Sequence, residues 1–168
     1  MKRYRITKYN PIHRDHDGFY KKDEWTSWAD LGKIYNDRKF CINDYLFAEN
    51  KYIDVVKELL NINNIQELYI IDLEVSQIDY LIDEMSKEKL YLSKYDMQIL
   101  KRIINGKKTV DLNEIPGLFR LLLREIIWCR LLKKKQFEIE IGYDFYMYVV
   151  CDEISEKMIE DQKKLAYI

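Results

Sequence analysis

The sequence predicts an α+β fold, and three stretches carry that prediction. In residues 136–150, Phe137, Ile139 and Ile141 alternate with Glu138 and Glu140. That is the period of a strand with one buried face. Gly142, Tyr143 and Asp144 then interrupt, and Phe145 to Val150 resume a strand-like run, which reads as a β-hairpin. Leu46, Ile53, Val56 and Leu60 make an apolar stripe at helical spacing. Leu68-Tyr69-Ile70-Ile71-Asp72-Leu73 is a compact apolar run suited to a central strand. The expectation is a single α+β domain over residues 1–168, with a mainly antiparallel or mixed sheet of about four or five strands packed on helices.

In chain order, residues 2–9 alternate Arg3 and Arg5 with Tyr4 and Ile6 and predict a first strand, ended by Asn10-Pro11. A polar loop over 12–23 follows. Thr26 or Ser27 can cap a short helix reaching Ile34 or Tyr35. Trp25 and Trp28 in this polar stretch either pin the loop to the core or form a binding platform. Asn43 or Asp44 caps a long helix over 45–60. A short helix is expected over 76–85. Ser93 caps another over 94–105, stopped by Gly106 in the left-handed position. Thr109-Val110 is a short bridge. Pro116 suits the first turn of a helix running to Lys133, with Asp111 or Asn113 near its cap. Arg120, Arg124 and Arg130 give that helix a basic face, and Lys133, Lys134 and Lys135 suit its C-terminal end. The hairpin follows, and a charge-rich helix closes the chain over 153–165. No internal repeat and no low-complexity tract is present.

The totals exclude several classes of function. The chain has 168 residues, is 48% hydrophobic and carries a net charge of −1, so disorder and a global affinity for nucleic acid are both disfavoured. Charge is polarised along the sequence. Residues 67–88 hold Glu67, Asp72, Glu74, Asp79, Asp83, Glu84 and Glu88 with Lys87 as the one base, whereas residues 101–135 are predominantly basic. Cys41, Cys129 and Cys151 are too widely spaced for a Cys-x-x-Cys site and read as reduced thiols. With no apolar signal core at the N-terminus, the sequence predicts a cytoplasmic protein.

No constellation of catalytic residues emerges. His13 and His16, interleaved with Asp15 and Asp17, have a spacing that can serve a metal, but no third soft ligand lies nearby. Asp23-Glu24 beside Trp25, or Glu138, Glu140 and Asp144, could serve a metal-dependent nuclease. No lysine follows the hairpin acids within the strand, however, and they fit the solvent face of an amphipathic strand. Gly-rich phosphate loops, nucleophile elbows and zinc-finger spacings are missing. The sequence therefore predicts no catalytic, cofactor-binding or metal site. The basic helix with aromatic neighbours leaves an RNA-binding module or a small nucleic-acid-acting enzyme as the alternative.

Tyr4 to Pro11, Gly18-Phe19-Tyr20, Asp23 to Ser27, Leu123-Arg124-Glu125 with Trp128-Cys129, and Gly142 to Tyr148 together resemble small bacterial immunity proteins encoded beside contact-dependent or polymorphic toxins. The resemblance spans nearly the whole chain. It implies a non-enzymatic cytoplasmic protein that binds one cognate toxin, a nuclease, and blocks its active site or substrate surface. Such a protein needs aromatic anchors and charges complementary to its partner. On that basis the partner-binding candidates are Asp23, Glu24, Trp25, Asp79, Asp83 and Glu84. The hairpin tyrosines Tyr143, Tyr146 and Tyr148 are equally candidates for interface and for core.

Overall fold

The computed structural model describes residues 1–154. Six strands form one antiparallel sheet in the order β1-β8-β7-β6-β4-β5. Their ranges are Lys2–Thr7 (β1), Glu67–Val75 (β4), Thr109–Asp111 (β5), Ile127–Lys133 (β6), Phe137–Ile141 (β7) and Tyr146–Cys151 (β8). A two-stranded ribbon, Ile34–Tyr35 (β2) with Arg38–Lys39 (β3), lies apart from it. Four helices are described: Ile42–Ile62 (α1), Ile78–Lys87 (α2), Lys94–Ile104 (α3) and Ile115–Leu123 (α4). The fold is α+β, as the sequence predicts, with one or two more strands in its main sheet than expected.

Alternation decides which face of the sheet is buried. Ile6, Leu68, Ile70, Cys129, Leu131, Phe137, Ile139, Met147 and Val149 turn inward and are buried. They meet Tyr45, Tyr52, Val56, Leu59 and Leu60 of α1, Ile99 and Ile103 of α3, and Leu118, Phe119 and Leu122 of α4 in one continuous core. Burying side chains of this size contributes roughly 1.5–3 kcal/mol each.

Three buried carboxylates lock the helical layer through ion pairs. Arg124 donates to both carboxylate oxygens of Glu49 at 2.7 Å, and both side chains are almost fully buried. Its third contact is the Tyr91 carbonyl at 2.9 Å. Arg120 grips Asp96 in the same two-armed way, at 2.9–3.1 Å. Burial pushes the Asp96 carboxyl up, but the hydrogen bonds of Arg120 and Ser93 hold it below its ordinary value. Lys107 and Arg102 both reach Glu114.

The largest correction concerns the helix expected from Pro116 to Lys133. It ends at Leu123, and Ile127–Lys133 is a strand. Glu125 takes φ +61° there, which breaks the helix and reverses the chain. The residues after it (Ile126, Ile127, Trp128, Cys129) are β-branched, aromatic and small, and from Ile127 to Arg130 buried positions alternate with half-buried ones. Lys134 and Lys135 therefore belong to the β6–β7 turn and not to a helix end. No continuous basic face forms either. Arg120 and Arg124 are paired inside the helical layer, and Arg130 on β6 is held by Asp72 and Glu138.

The smaller differences are local. The α1 cap is Cys41, with Asp44 reaching back to its N–H at 3.1 Å, in place of Asn43 or Asp44 as the cap itself. Ser27 does cap, but only one 3-10 turn, Trp28–Asp30, before Gly32 at φ +88° diverts the chain. The α4 cap is Glu114, whose N–H is met by Asp111. Ser93 and Gly106 bound α3 as expected. The closing helix expected over 153–165 lies outside the described residues, apart from Glu153 and Ile154, which are not helical.

Candidate functional site

Helices cover one face of the sheet. Among the described residues no helix packs over the other, so the outward side chains of the same strands form a surface. The register sets its rows. Arg5, Tyr148, Glu140, Arg130 and Ile71 lie side by side across five strands. The next row carries Arg3, Val150, Glu138, Leu132 and Tyr69. Most of its apolar members are half-buried, and Tyr69 is 46% exposed.

One end of this face is hollowed into a cleft of about 680 Å³. Two turns build it. The α4–β6 turn supplies Glu125, and the β7–β8 turn supplies Gly142, Tyr143, Asp144 and Phe145. Glu125, Asp144 and Phe145 all have left-handed φ values of +56° to +61°. Non-glycine residues hold this conformation only where their surroundings fix it. Here the Tyr52 hydroxyl donates to the Phe145 carbonyl, Ser76 donates to the Glu125 carbonyl at 2.7 Å, and the Trp28 indole donates to the Arg124 carbonyl at 3.1 Å. The Trp128 indole reaches the Ile141 carbonyl at 2.8 Å and joins the two turns.

The cleft is acidic and aromatic. Its carboxylates are Glu74, Glu125, Glu140 and Asp144, and its rings include Trp128, Tyr143, Tyr146 and Tyr148. No lysine, arginine or histidine is among its lining residues, and none of the four acids forms an ion pair among the described residues. Burial, together with Asp30 and Asp144, raises the Glu125 carboxyl above its ordinary value. Glu125 thus keeps open surface while its charge is poorly solvated by the walls around it.

The structure splits the sequence-derived candidates. Tyr143, Tyr146 and Tyr148 all line the cleft, and Tyr143 stands 93% exposed at its rim. They belong to the outward face and not to the core. Trp25 stacks on Phe40 at 4.4 Å and meets Phe145 edge-on at 5.0 Å, so it pins its loop to the core. Trp28 does the same and is buried. Glu24 accepts from the Tyr20 hydroxyl at 2.6 Å and lies 3.7 Å from Lys8, whereas Asp23 is exposed. Asp79, Asp83 and Glu84 lie on α2, with Asp83 and Glu84 paired to Lys87, and none of the three lines the cleft. His13 and His16 stay on their loop, and no cluster among the described residues is arranged to hold a metal ion.

Sequence reasoning missed Glu74, Glu125 and Trp128 as parts of one site. Glu125 was hidden inside an apparent helix. The usable signal was the hairpin alternation, which already places Glu140 on the face of Tyr146 and Tyr148. No protein-family model, curated protein or solved structure matches this chain. No helix among the described residues is long and apolar enough to cross a membrane.

Proposed function

We propose that this chain is an immunity-type protein, which binds one cognate toxin in the cytoplasm of the producing cell and blocks the toxin's active site or substrate surface. A nuclease is the toxin class that fits best, because its substrate surface is basic. The observation that carries this reading is the sheet face that no helix among the described residues covers, with its acidic, tyrosine-rimmed cleft. Tyr146 and Tyr148 stand on a paired strand, so their backbone is already ordered before a partner docks. Tyr143, at the rim, has the position and chemistry of an interface anchor. The protein acts by binding and requires no cofactor. The RNA-binding alternative depended on a basic face that does not assemble, since its arginines are paired with acids.

The test is co-expression with the adjoining open reading frame. The expected result is a product that is toxic alone, harmless beside this protein, and co-purifies with it at one to one. A neighbour that is harmless alone, or whose toxicity this protein does not relieve, would overturn the reading.

A further inference from the structure

We propose that the cleft between the α4–β6 and β7–β8 turns is the receptor for a single arginine side chain presented by the protein partner. The inference rests on the immunity-type reading and names the chemistry of its contact. The cleft combines two features that one side chain satisfies together. Four carboxylates line it with no lysine, arginine or histidine among the described lining residues, and tyrosine and tryptophan rings form its walls. A guanidinium takes two carboxylate hydrogen bonds at once and lies flat on aromatic faces. A lysine ammonium offers the charge without the plane, and a neutral side chain leaves the carboxylates unmet.

The molecule already places guanidinium groups over the same rings, the aromatic half of this recognition. Arg5 and Arg14 both lie over Tyr146, at 5.5 and 5.6 Å from its centroid, and Arg3 lies over Tyr148 at 5.3 Å. Arg14 also donates to the Tyr146 hydroxyl at 2.8 Å. Those arginines come from β1 and the first loop and do not line the cleft. On the same face Arg130 is taken by Asp72 and Glu138, although Glu140 is its cross-strand neighbour, so Glu140 has no ion-pair partner among the described residues.

The experiment is an NMR titration of the full chain with N-acetyl-arginine amide, read at the Trp128 indole N–H. That proton is identified by its loss in Trp128→Phe. A saturable shift is expected with the arginine probe and none with N-acetyl-citrulline amide, which keeps the shape and removes the charge. Asp144→Asn should weaken binding about tenfold, the equivalent of about 1.4 kcal/mol. Asparagine tolerates the left-handed backbone at that position, so the fold is retained. Glu125→Gln, made separately, keeps the question answerable if Asp144→Asn unfolds. Equal shifts with the citrulline probe, or no saturable shift, would overturn the inference. Tighter binding of spermidine than of the arginine probe would overturn a protein source for the cation. With the toxin in hand, wild-type affinity in both variants sinks the arginine receptor and leaves the immunity reading standing. If the neighbouring product is not a toxin, the immunity reading fails and the titration still decides the cleft.

Discussion

The helical layer and the open sheet face treat carboxylates in opposite ways. Behind the sheet, Glu49, Asp96 and Glu114 are buried and each is gripped by arginine or lysine at hydrogen-bond distance. In front of it, Glu74, Glu125, Glu140 and Asp144 share a cleft with no cation. The first group serves the fold, because an unpaired charge there would carry a large desolvation cost. The second group adds nothing comparable to the fold, and Glu125 stands in surroundings that disfavour its charge. Acids that have no ion-pair partner among the described residues fit the role of contacts for a partner.

The strongest way to break this comparison is to remove Glu49. Glu49→Ala strands the Arg124 guanidinium in the core and should cost roughly 3–5 kcal/mol in urea unfolding. Replacing both partners, as Glu49→Leu with Arg124→Met, should recover most of that loss, because an apolar pair of similar volume leaves no buried charge uncompensated and only the Tyr91 carbonyl without its donor. A loss under about 1 kcal/mol for the single variant would mean the helical layer does not depend on its ion pairs.

A second probe sharpens the packing side of the contrast. At Gly117 on α4 an added Cβ would sit 2.4 Å from the Ile99 Cδ1 and 3.0 Å from the Asp96 Oδ1. Gly117→Ala must therefore displace the Ile99 Cδ1, push α3 and α4 apart or disturb the Asp96–Arg120 pair. Overpacking costs roughly 1–3 kcal/mol, and the helix preference of alanine returns up to about 1. The net expectation is a loss of about 1–2 kcal/mol. Trimming the obstacle in the same background, with Ile99→Val, should restore part of it. Unchanged stability in Gly117→Ala would show the helix contact to be looser than the geometry implies.

These two regions were unequally legible in the sequence. The strands β1, β4, β7 and β8 and the helices α1 and α3 follow from local period and caps, which need no knowledge of the rest of the chain. The break at Glu125 does not, because Leu118 to Leu132 is apolar enough to satisfy a helix or a strand. What decides it is tertiary: Arg124 must reach Glu49 on α1 while Ile127 onward pairs with β4 and β7. The cleft depended on that same break. Its hairpin half was visible as alternation, but its other half sits on a turn that looked like mid-helix. The acids of α2 drew attention because they are dense in sequence, yet density along the chain places them on a solvated helix and not in a concavity.

Proton linkage gives a smaller effect, and it concerns the junction of the two regions. The Lys8 side chain is only 8% exposed, its Nζ lies 4.0 Å from the Tyr9 and Trp25 ring centroids, and its nearest carboxylate, on Glu24, is 3.7 Å away. Burial lowers its pKa to about 8, against the opposing pull of Glu24, Asp30 and Asp144. The unfolded chain therefore holds this proton up to about pH 10.4, and the folded chain releases it from about 8. Between those values the unfolded state binds more protons, so stability rises with pH. The Cys129 thiol works against it. Burial pushes that thiol up to about 12, so the unfolded chain ionises first above about pH 8.5 and stability is lost. The difference between wild type and Lys8→Met isolates the lysine and should grow by about 1.4 kcal/mol from pH 7 to pH 9. A flat difference would mean that Lys8 is better solvated than its burial indicates.

The smallest effect on stability is expected where the effect on binding is largest. Tyr143 projects into solvent, and its side chain lies outside the core and outside the ring contacts that Phe145 makes in the hairpin turn. Tyr143→Ala should leave unfolding stability within about 0.5 kcal/mol of wild type. If the proposed function holds, the same substitution should weaken the complex with the toxin by about 2 kcal/mol or more, a fall of roughly thirtyfold in affinity, as for an aromatic that anchors an interface. Chemical denaturation and a binding isotherm on the one variant measure both quantities. Lost stability would place Tyr143 in the scaffold, and unchanged affinity would remove it from the interface. Either result would dissolve the division of labour between a sheet face built for folding and one left free for a partner.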